Sequence, residues 1–346
     1  MSTEQSVEQE ANLDFASVDS VPIVAHTASK GSKTDPHLTS ASCAPQRLDV
    51  NSNYSVPFRC VAEMKGHRSI VTECSFSNDG RLLATASLDK TVKLWDVDSH
   101  QCIATLNDHD EAVLCCRFSP DDTLVASASH DKTVRLWDMK SHRCIAKLCG
   151  HNRTVNRCAF STDGAVLASV SNEVVLWNTK TFINMATFQE RIGALGCDIS
   201  RNGILASTCW DTTVRLWDIN TQQCIAEFDE HTGECFKCCF TADGTLLAST
   251  SWDKTVRLWD MRTRQSIAAL NDSNDRTYQC SFSADGAWIA AACSLEHVAR
   301  IWDVKTLRSI TTLQHDEWVY ACSFSSNCTI ATASGFLKDY AVYLWQ

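Results

Sequence analysis

Short alternations of apolar and polar residues, broken by Asp, Asn, Gly and Ser, run through most of this chain. Alternation of period two marks strands with one buried face. Cys60-Val61-Ala62-Glu63-Met64 is one such run, and it aligns with Cys102-Ile103-Ala104-Thr105-Leu106, Cys144-Ile145-Ala146-Lys147-Leu148 and Cys224-Ile225-Ala226-Glu227-Phe228. A second run follows, as in Val71-Thr72-Glu73-Cys74-Ser75-Phe76. Then comes a tight-turn pair: Asp79-Gly80, Asp121-Asp122, Asp163-Gly164, Asn202-Gly203, Asp243-Gly244 or Asp285-Gly286. Such pairs join hairpin strands, because Gly, Asn and Asp tolerate the positive φ these turns use. A third run of the Leu82-Leu83-Ala84-Thr85-Ala86-Ser87 type leads through an Asp-containing turn into a fourth, which closes on Trp-Asp.

This four-run unit recurs. Its clearest copy is Ala248 to Asp260, where Trp252-Asp253-Lys254 turns between two strands and Trp259 ends the second. The unit's tryptophan appears as Trp95, Trp137, Trp177, Trp217, Trp259, Trp302 and Trp345, with spacings of 42, 40, 40, 42, 43 and 43 residues. Four short strands per forty residues predict one blade of a propeller, and seven copies predict an all-β ring over residues 58–346. No outer run follows Trp345, while Cys60 to Met64 precedes the first complete unit. The expectation is that this early run completes the seventh blade and removes two exposed edges.

Residues 1–57 lie outside the repeat. They form an acidic stretch rich in Ser and Thr, whose apolar fragment Val21-Pro22-Ile23-Val24 is too short for a core, and they predict a disordered tail. A net charge of -10 argues against direct nucleic-acid binding, which needs clustered Lys and Arg. Apolar runs are too short to predict a membrane span, and no basic region followed by an apolar one predicts a secretory signal. Of nineteen cysteines, Cys74, Cys116, Cys158, Cys197, Cys238, Cys280 and Cys322 share one repeat position, where Cys acts as a small core hydrophobe. The odd count and missing signal predict reduced thiols in the cytoplasm or nucleus. Cys235-x-x-Cys238 has metal-like spacing but lies within a strand, without a knuckle turn. Neither a metal nor a cofactor is expected.

The Gly-His elements Gly66-His67 and Gly150-His151, with Trp-Asp ends at this spacing, resemble those of WD40-repeat proteins over about five-sixths of the chain. That resemblance implies a seven-bladed β-propeller, monomeric by itself, that presents a face to protein partners. It also bears on a tempting constellation. His231, Ser249 and Asp253 are the residue types of a hydrolase triad. The trio recurs as His67, Thr85 and Asp89, and as His109, Ser127 and Asp131, and an enzyme does not need several copies of one site. In WD40 proteins the matching residues form a buried network ending on the blade Trp, here Trp259, Trp95 and Trp137. No catalytic residue is assigned.

Some blades depart from that pattern. Blade 3 keeps His151, Ser169 and Trp177, but shortens its turn to Ser171-Asn172-Glu173 and loses the Asp. Blade 4 has Arg191 near the His position, beside Ser207, Asp211 and Trp217. Blade 6 offers Ser273 and Leu295-Glu296-His297 instead, and blade 7 has His315, Thr332 and Asp339 in loops of altered length. Blades 3, 4 and 6 are expected to be the softer ones.

Binding in such a fold falls to loops and channel mouths. The residue before the turn Asp is Leu88, His130, Trp210 and Trp252 in blades 1, 2, 4 and 5. Two tryptophans at equivalent turns predict an aromatic patch, and Trp is enriched in binding hot spots. Phe236 and Tyr278 at inner-strand starts, with Trp318 and Tyr320 in blade 7, extend it. The resemblance puts acidic loops on the same face: Asp108, Asp110, Glu111, Asp229, Glu230, Asp272, Asp275, Asp316 and Glu317. A peptide bearing Lys or Arg suits that combination. A second partner is suggested by Trp259-Asp260-Met261-Arg262. It resembles the Trp-Asp-x-Arg box by which some WD40 proteins dock on the cullin-4 ubiquitin-ligase adaptor as substrate receptors.

Overall fold

A computed structural model describes residues 58–272, 275–335 and 340–346; the tail expected at 1–57, together with Ser273 and Asp339, lies outside the described residues. The described chain contains strands and turns, arranged in seven four-stranded sheets. Blade 5 shows the plan. Its strands Cys235–Phe240, Leu246–Ser251, Val256–Asp260 and Gln265–Leu270 pair in chain order, all antiparallel. The second and third strands are buried along most of their length, whereas the outer strand alternates between exposed and half-buried residues. That gradient follows from packing blade against blade, which covers both faces near the centre and leaves the rim in water.

The turns follow their chemistry. Gly244 takes φ 68° in the Asp243-Gly244 turn, and the Asp243 carboxylate accepts the N–H of Thr245 at 3.0 Å. Asp122 adopts φ 57° where five other blades use Gly and blade 7 uses Cys328, and its carboxylate also caps the N–H groups of Asn78 and Asp79 in the preceding blade. The ring closes as the sequence predicts. Cys60–Lys65 pairs antiparallel with Ala341–Trp345, so the outer strand of blade 7 comes from the start of the propeller. Arg59 and Gln346 exchange backbone hydrogen bonds of 2.7 and 3.0 Å across this clasp.

Between the blades lie the hydrophobic clusters. Ala248, Val256 and Leu258 of blade 5, for example, pack with Cys280, Phe282 and Ile289 of blade 6. All seven equivalent cysteines are buried. Cys235 and Cys238 donate towards different carbonyls, Thr212 and Ala206, and so do not converge on one point.

The centre of the ring is charged, which the repeat pattern does not predict. The Glu73 carboxylate of blade 1 meets Arg117 of blade 2 at 2.8 Å, Arg157 of blade 3 at 3.1 Å and Lys237 of blade 5 at 3.1 Å. Gln279 of blade 6 donates to it at 2.5 Å. One carboxylate reached from four other blades must sit on the ring axis. Burial opposes the charge of Glu73, but the three cations prevail and hold its carboxyl at about 2. A buried ion is tolerable only when paired and hydrogen-bonded in this way.

Candidate protein-binding face

The blade networks fix the framework of the face. In blade 5, His231 Nδ1 lies 2.7 Å from Asp253 Oδ2 and His231 Nε2 lies 2.8 Å from Ser249 Oγ. The Trp259 indole N–H donates to the same Ser249 Oγ at 2.9 Å. Blade 1 repeats this with His67, Asp89, Thr85 and Trp95, and blade 2 with His109, Asp131, Ser127 and Trp137. A neutral imidazole protonated on Nδ1 satisfies every group: it donates to the carboxylate and accepts the hydroxyl proton, while the hydroxyl oxygen accepts the indole. Burial opposes ionisation of Asp253, yet hydrogen bonds from His231, Thr255 and the Thr232 N–H hold its carboxyl well below the usual range. Ser249, Ser127 and Thr85 are 0% exposed, so each hydroxyl is sealed beneath its indole.

Three departures are resolved differently from the sequence expectation. Blade 3 does not lose its carboxylate: Glu173 lies 2.8 Å from His151 Nδ1, at the same 22-residue separation as His231 and Asp253. Ser169 and Trp177 complete the tie at 2.6 and 2.7 Å. In blade 4 the His position is filled by Glu190, not Arg191. Ser207 donates to Glu190 at 2.5 Å, and the Arg215 guanidinium bridges Glu190 at 2.9 Å and Asp211 at 2.5 Å. The Arg191 side chain is 72% exposed and pairs with Glu227. Blade 6 has Ala291 where the others carry Ser or Thr, and Trp302 donates directly to Asp272 at 2.9 Å. In blade 7, Thr332 accepts Trp345 at 2.8 Å and meets His315 at 3.1 Å. The premise for softness therefore fails in blades 3 and 4, where other residues rebuild the tie.

On this framework stands an aromatic arc. Trp210 and Trp252 meet edge to face with centroids 6.4 Å apart, and Phe236 stacks on Trp252 at 4.9 Å. Tyr278 joins Phe236 at 5.3 Å, Tyr320 joins Tyr278 at 6.2 Å, and Trp318 joins Tyr320 at 6.2 Å. All six aromatics singled out in the sequence thus form one chain of contacts over blades 4 to 7. They are less open than their turn positions suggest. Phe236 and Tyr320 are buried, whereas Trp210, Trp252, Tyr278 and Trp318 are half-buried. Burial pushes both tyrosine hydroxyls up, so they stay neutral. Leu88 and His130 occupy the equivalent turns in blades 1 and 2, held by the same backbone bond that anchors Trp252. One contributor was missed: the exposed Arg276 lays its guanidinium 4.0 Å from the Trp252 ring centroid.

The acidic loops divide. Asp108, Asp110, Glu111, Asp229, Glu230 and Asp316 are exposed, and Glu317 is half-buried. Glu111, Asp110 and Glu230 already pair with Lys90, Lys147 and Arg257 at 3.3, 3.8 and 2.5 Å. Asp275 is not surface charge. It is buried and accepts the N–H groups of Arg276, Leu295 and Glu296. Elsewhere, Asp260 accepts the N–H groups of Arg262 and Thr263 at 2.8 and 2.7 Å, as Asp96 and Asp138 do for Ser99 and Ser141 in their own turns. Arg262 itself is exposed.

Comparison with known proteins fits this architecture. Residues 71–346 match the family described as IFT122 first beta-propeller. Shorter stretches resemble Telomerase protein component 1 of Rattus norvegicus, 43% identical over 53 residues, or 15% of this chain and 2% of that protein. Protein Mut11 of Chlamydomonas reinhardtii is 40% identical over 62 residues, 18% of this chain and 17% of Mut11. Protein HIRA of Dictyostelium discoideum is 34% identical over 98 residues, 26% of this chain and 8% of HIRA. The chain thus spans only 2% to 17% of the length of these relatives, and matches of this size report the repeated blade. With seven blades, each closing on the tryptophan of its repeat, the chain is a WD40-type protein and belongs to the family described as IFT122 first beta-propeller.

Proposed function

We propose that this chain is a non-enzymatic scaffold of the cytoplasm or nucleus, whose aromatic arc binds a protein or peptide carrying Lys or Arg. The supporting observation is Arg276 over Trp252: the protein's own guanidinium already uses that ring face, and exposed Asp229 and Asp316 add negative charge on the loops before the inner strands of blades 5 and 7. A partner's cation would exchange with Arg276 or stack on neighbouring rings. The test is affinity purification with the wild type and with Trp210→Ala/Trp252→Ala, followed by binding measurements on the peptides recovered. Loss of hot-spot aromatics should weaken binding at least about tenfold, since such residues contribute about 2 kcal/mol or more. The stacked rings also stabilise the blades, by about 0.5–1.5 kcal/mol per pair, so binding is compared well below the melting transition. Unchanged capture of the same partners by a folded double variant would sink this reading.

Docking on a cullin-4 adaptor is the second reading. The exposed Arg262 supports it, while Asp260 is engaged in a turn common to other blades. Loss of adaptor capture in a folded Arg262→Ala variant would support it, and absence of the adaptor from a wild-type pull-down would end it.

A further inference from the structure

The cluster on the ring axis contains more positive than negative charge. Arg117, Arg157 and Lys237 contribute three cations, against the two carboxyl groups of Glu73 and Asp198. Even with both carboxyls ionised, one positive charge is left over. Burial pushes the Asp198 carboxyl up, and one of its oxygens, Oδ2, already accepts the Phe240 N–H at 2.7 Å. The single Glu73 charge is shared among three cations, with Arg117, Lys237 and Gln279 on Oε1 and Arg157 3.1 Å from Oε2. Charge that is removed from water and left unbalanced is strongly disfavoured.

Arg117 is where the imbalance can be answered. Its Nη2 pairs with Glu73 at 2.8 Å, and no other acceptor for its guanidinium is found among the described residues. A guanidinium has five N–H donors in a planar fork, so most of its capacity stays open. Its side chain is 25% exposed, against 11% for Arg157, 1% for Lys237 and 0% for Glu73. The repeat adds polar company. Ser75, Arg117, Asp198, Ser281 and Ser323 share one position on the inner strands of five blades, two residues beyond Glu73 and its counterparts.

We propose that the solvent-open side of the axial cluster binds a small tetrahedral oxyanion of the phosphate type, held by the open fork of Arg117. The guanidinium fork matches two oxyanion oxygens. A hydrogen phosphate can also donate its proton to the Asp198 carboxylate, which a sulfate cannot. This site is independent of the aromatic arc, and Trp210→Ala/Trp252→Ala should leave it unchanged.

The experiment titrates the full chain with inorganic phosphate, sulfate and chloride at matched ionic strength, reading melting temperature and calorimetric heat. Phosphate should raise the melting temperature saturably beyond chloride, with sulfate binding more weakly. Arg117→Gln should weaken phosphate at least about tenfold. Arg117→Lys keeps the charge without the fork, and serves if the glutamine variant does not fold; it should lose several-fold. Equal effects of phosphate and chloride on the wild type, or phosphate affinity unchanged in a folded Arg117 variant, would overturn the site. Sulfate binding as tightly as phosphate would remove the role given to Asp198 and with it the phosphate assignment.

Discussion

Blades 4 and 5 fasten the same tryptophan to the same serine by different chemistry. Blade 5 uses an imidazole between Ser249 and Asp253, so its tie can carry a single formal charge spread over several N–H donors. Blade 4 instead puts Glu190 against Ser207 and spans from Glu190 to Asp211 with Arg215, whose side chain is 2% exposed. The constraint imposed by the fold is therefore a continuous donor–acceptor path from the blade tryptophan to the turn carboxylate. It is not a histidine. What differs is the penalty for breaking the path, because a buried ion left without its partner is costlier than a neutral group left without one.

That difference gives the largest expected effect. Arg215→Ala strands Glu190 and Asp211 and should destabilise the propeller by about 3–5 kcal/mol, measured by denaturant unfolding. Ser249→Ala in blade 5 removes a neutral hydroxyl shared by an indole and an imidazole, and should cost about 1–3 kcal/mol in the same assay. Equal costs would break the comparison, and a costlier Ser249→Ala would reverse it. The two sites lie in adjacent blades and share no hydrogen-bond partner, so the double variant should be additive within about 0.5 kcal/mol.

Why the blades were legible and these substitutions were not has a physical basis. Strand alternation, Asp-Gly turns and the recurring tryptophan are properties of single residues at fixed spacing, and the closing strand followed from counting runs. Residue identity is a weaker guide than residue capacity. Glu173 stands at the separation where an Asp was sought, and its extra methylene was enough to disguise it. Glu190 stands next to Arg191, and the Ser207 hydroxyl there needs an acceptor, which a guanidinium cannot be. The aromatic arc could be foreseen because its members sit at equivalent turns and strand starts. Arg276 has no repeat counterpart to flag it, and only geometry reveals its ring contact. The axial cluster was hidden for another reason: Glu73 and Lys237 are 164 residues apart, and ring closure alone brings them together.

Acid provides the smallest and finest probe of the two ties. In blade 5 burial works against the charge on Asp253, but His231 and the turn donors lower its value below that of an unfolded aspartate, about 4. In blade 4 burial again opposes the charge on Asp211, and Arg215 and Thr213 overcome it. For both, the unfolded chain binds more protons than the native one in mild acid. Their stabilisation is therefore fully present above about pH 4 and is lost as the pH falls through the native values. Asp253→Asn keeps an acceptor for His231 but removes the titration, so its unfolding free energy should fall less steeply between pH 5 and pH 3 than that of the wild type. One proton accounts for at most about 1.4 kcal/mol per pH unit. Asp211→Asn should flatten the acid slope in the same direction, while costing more at neutral pH because Arg215 then relies on Glu190 for its buried charge partner. Parallel acid slopes for the wild type and Asp253→Asn would mean that the imidazole tie does not hold its carboxylate charged, and the contrast between the blades would then rest on Arg215 alone.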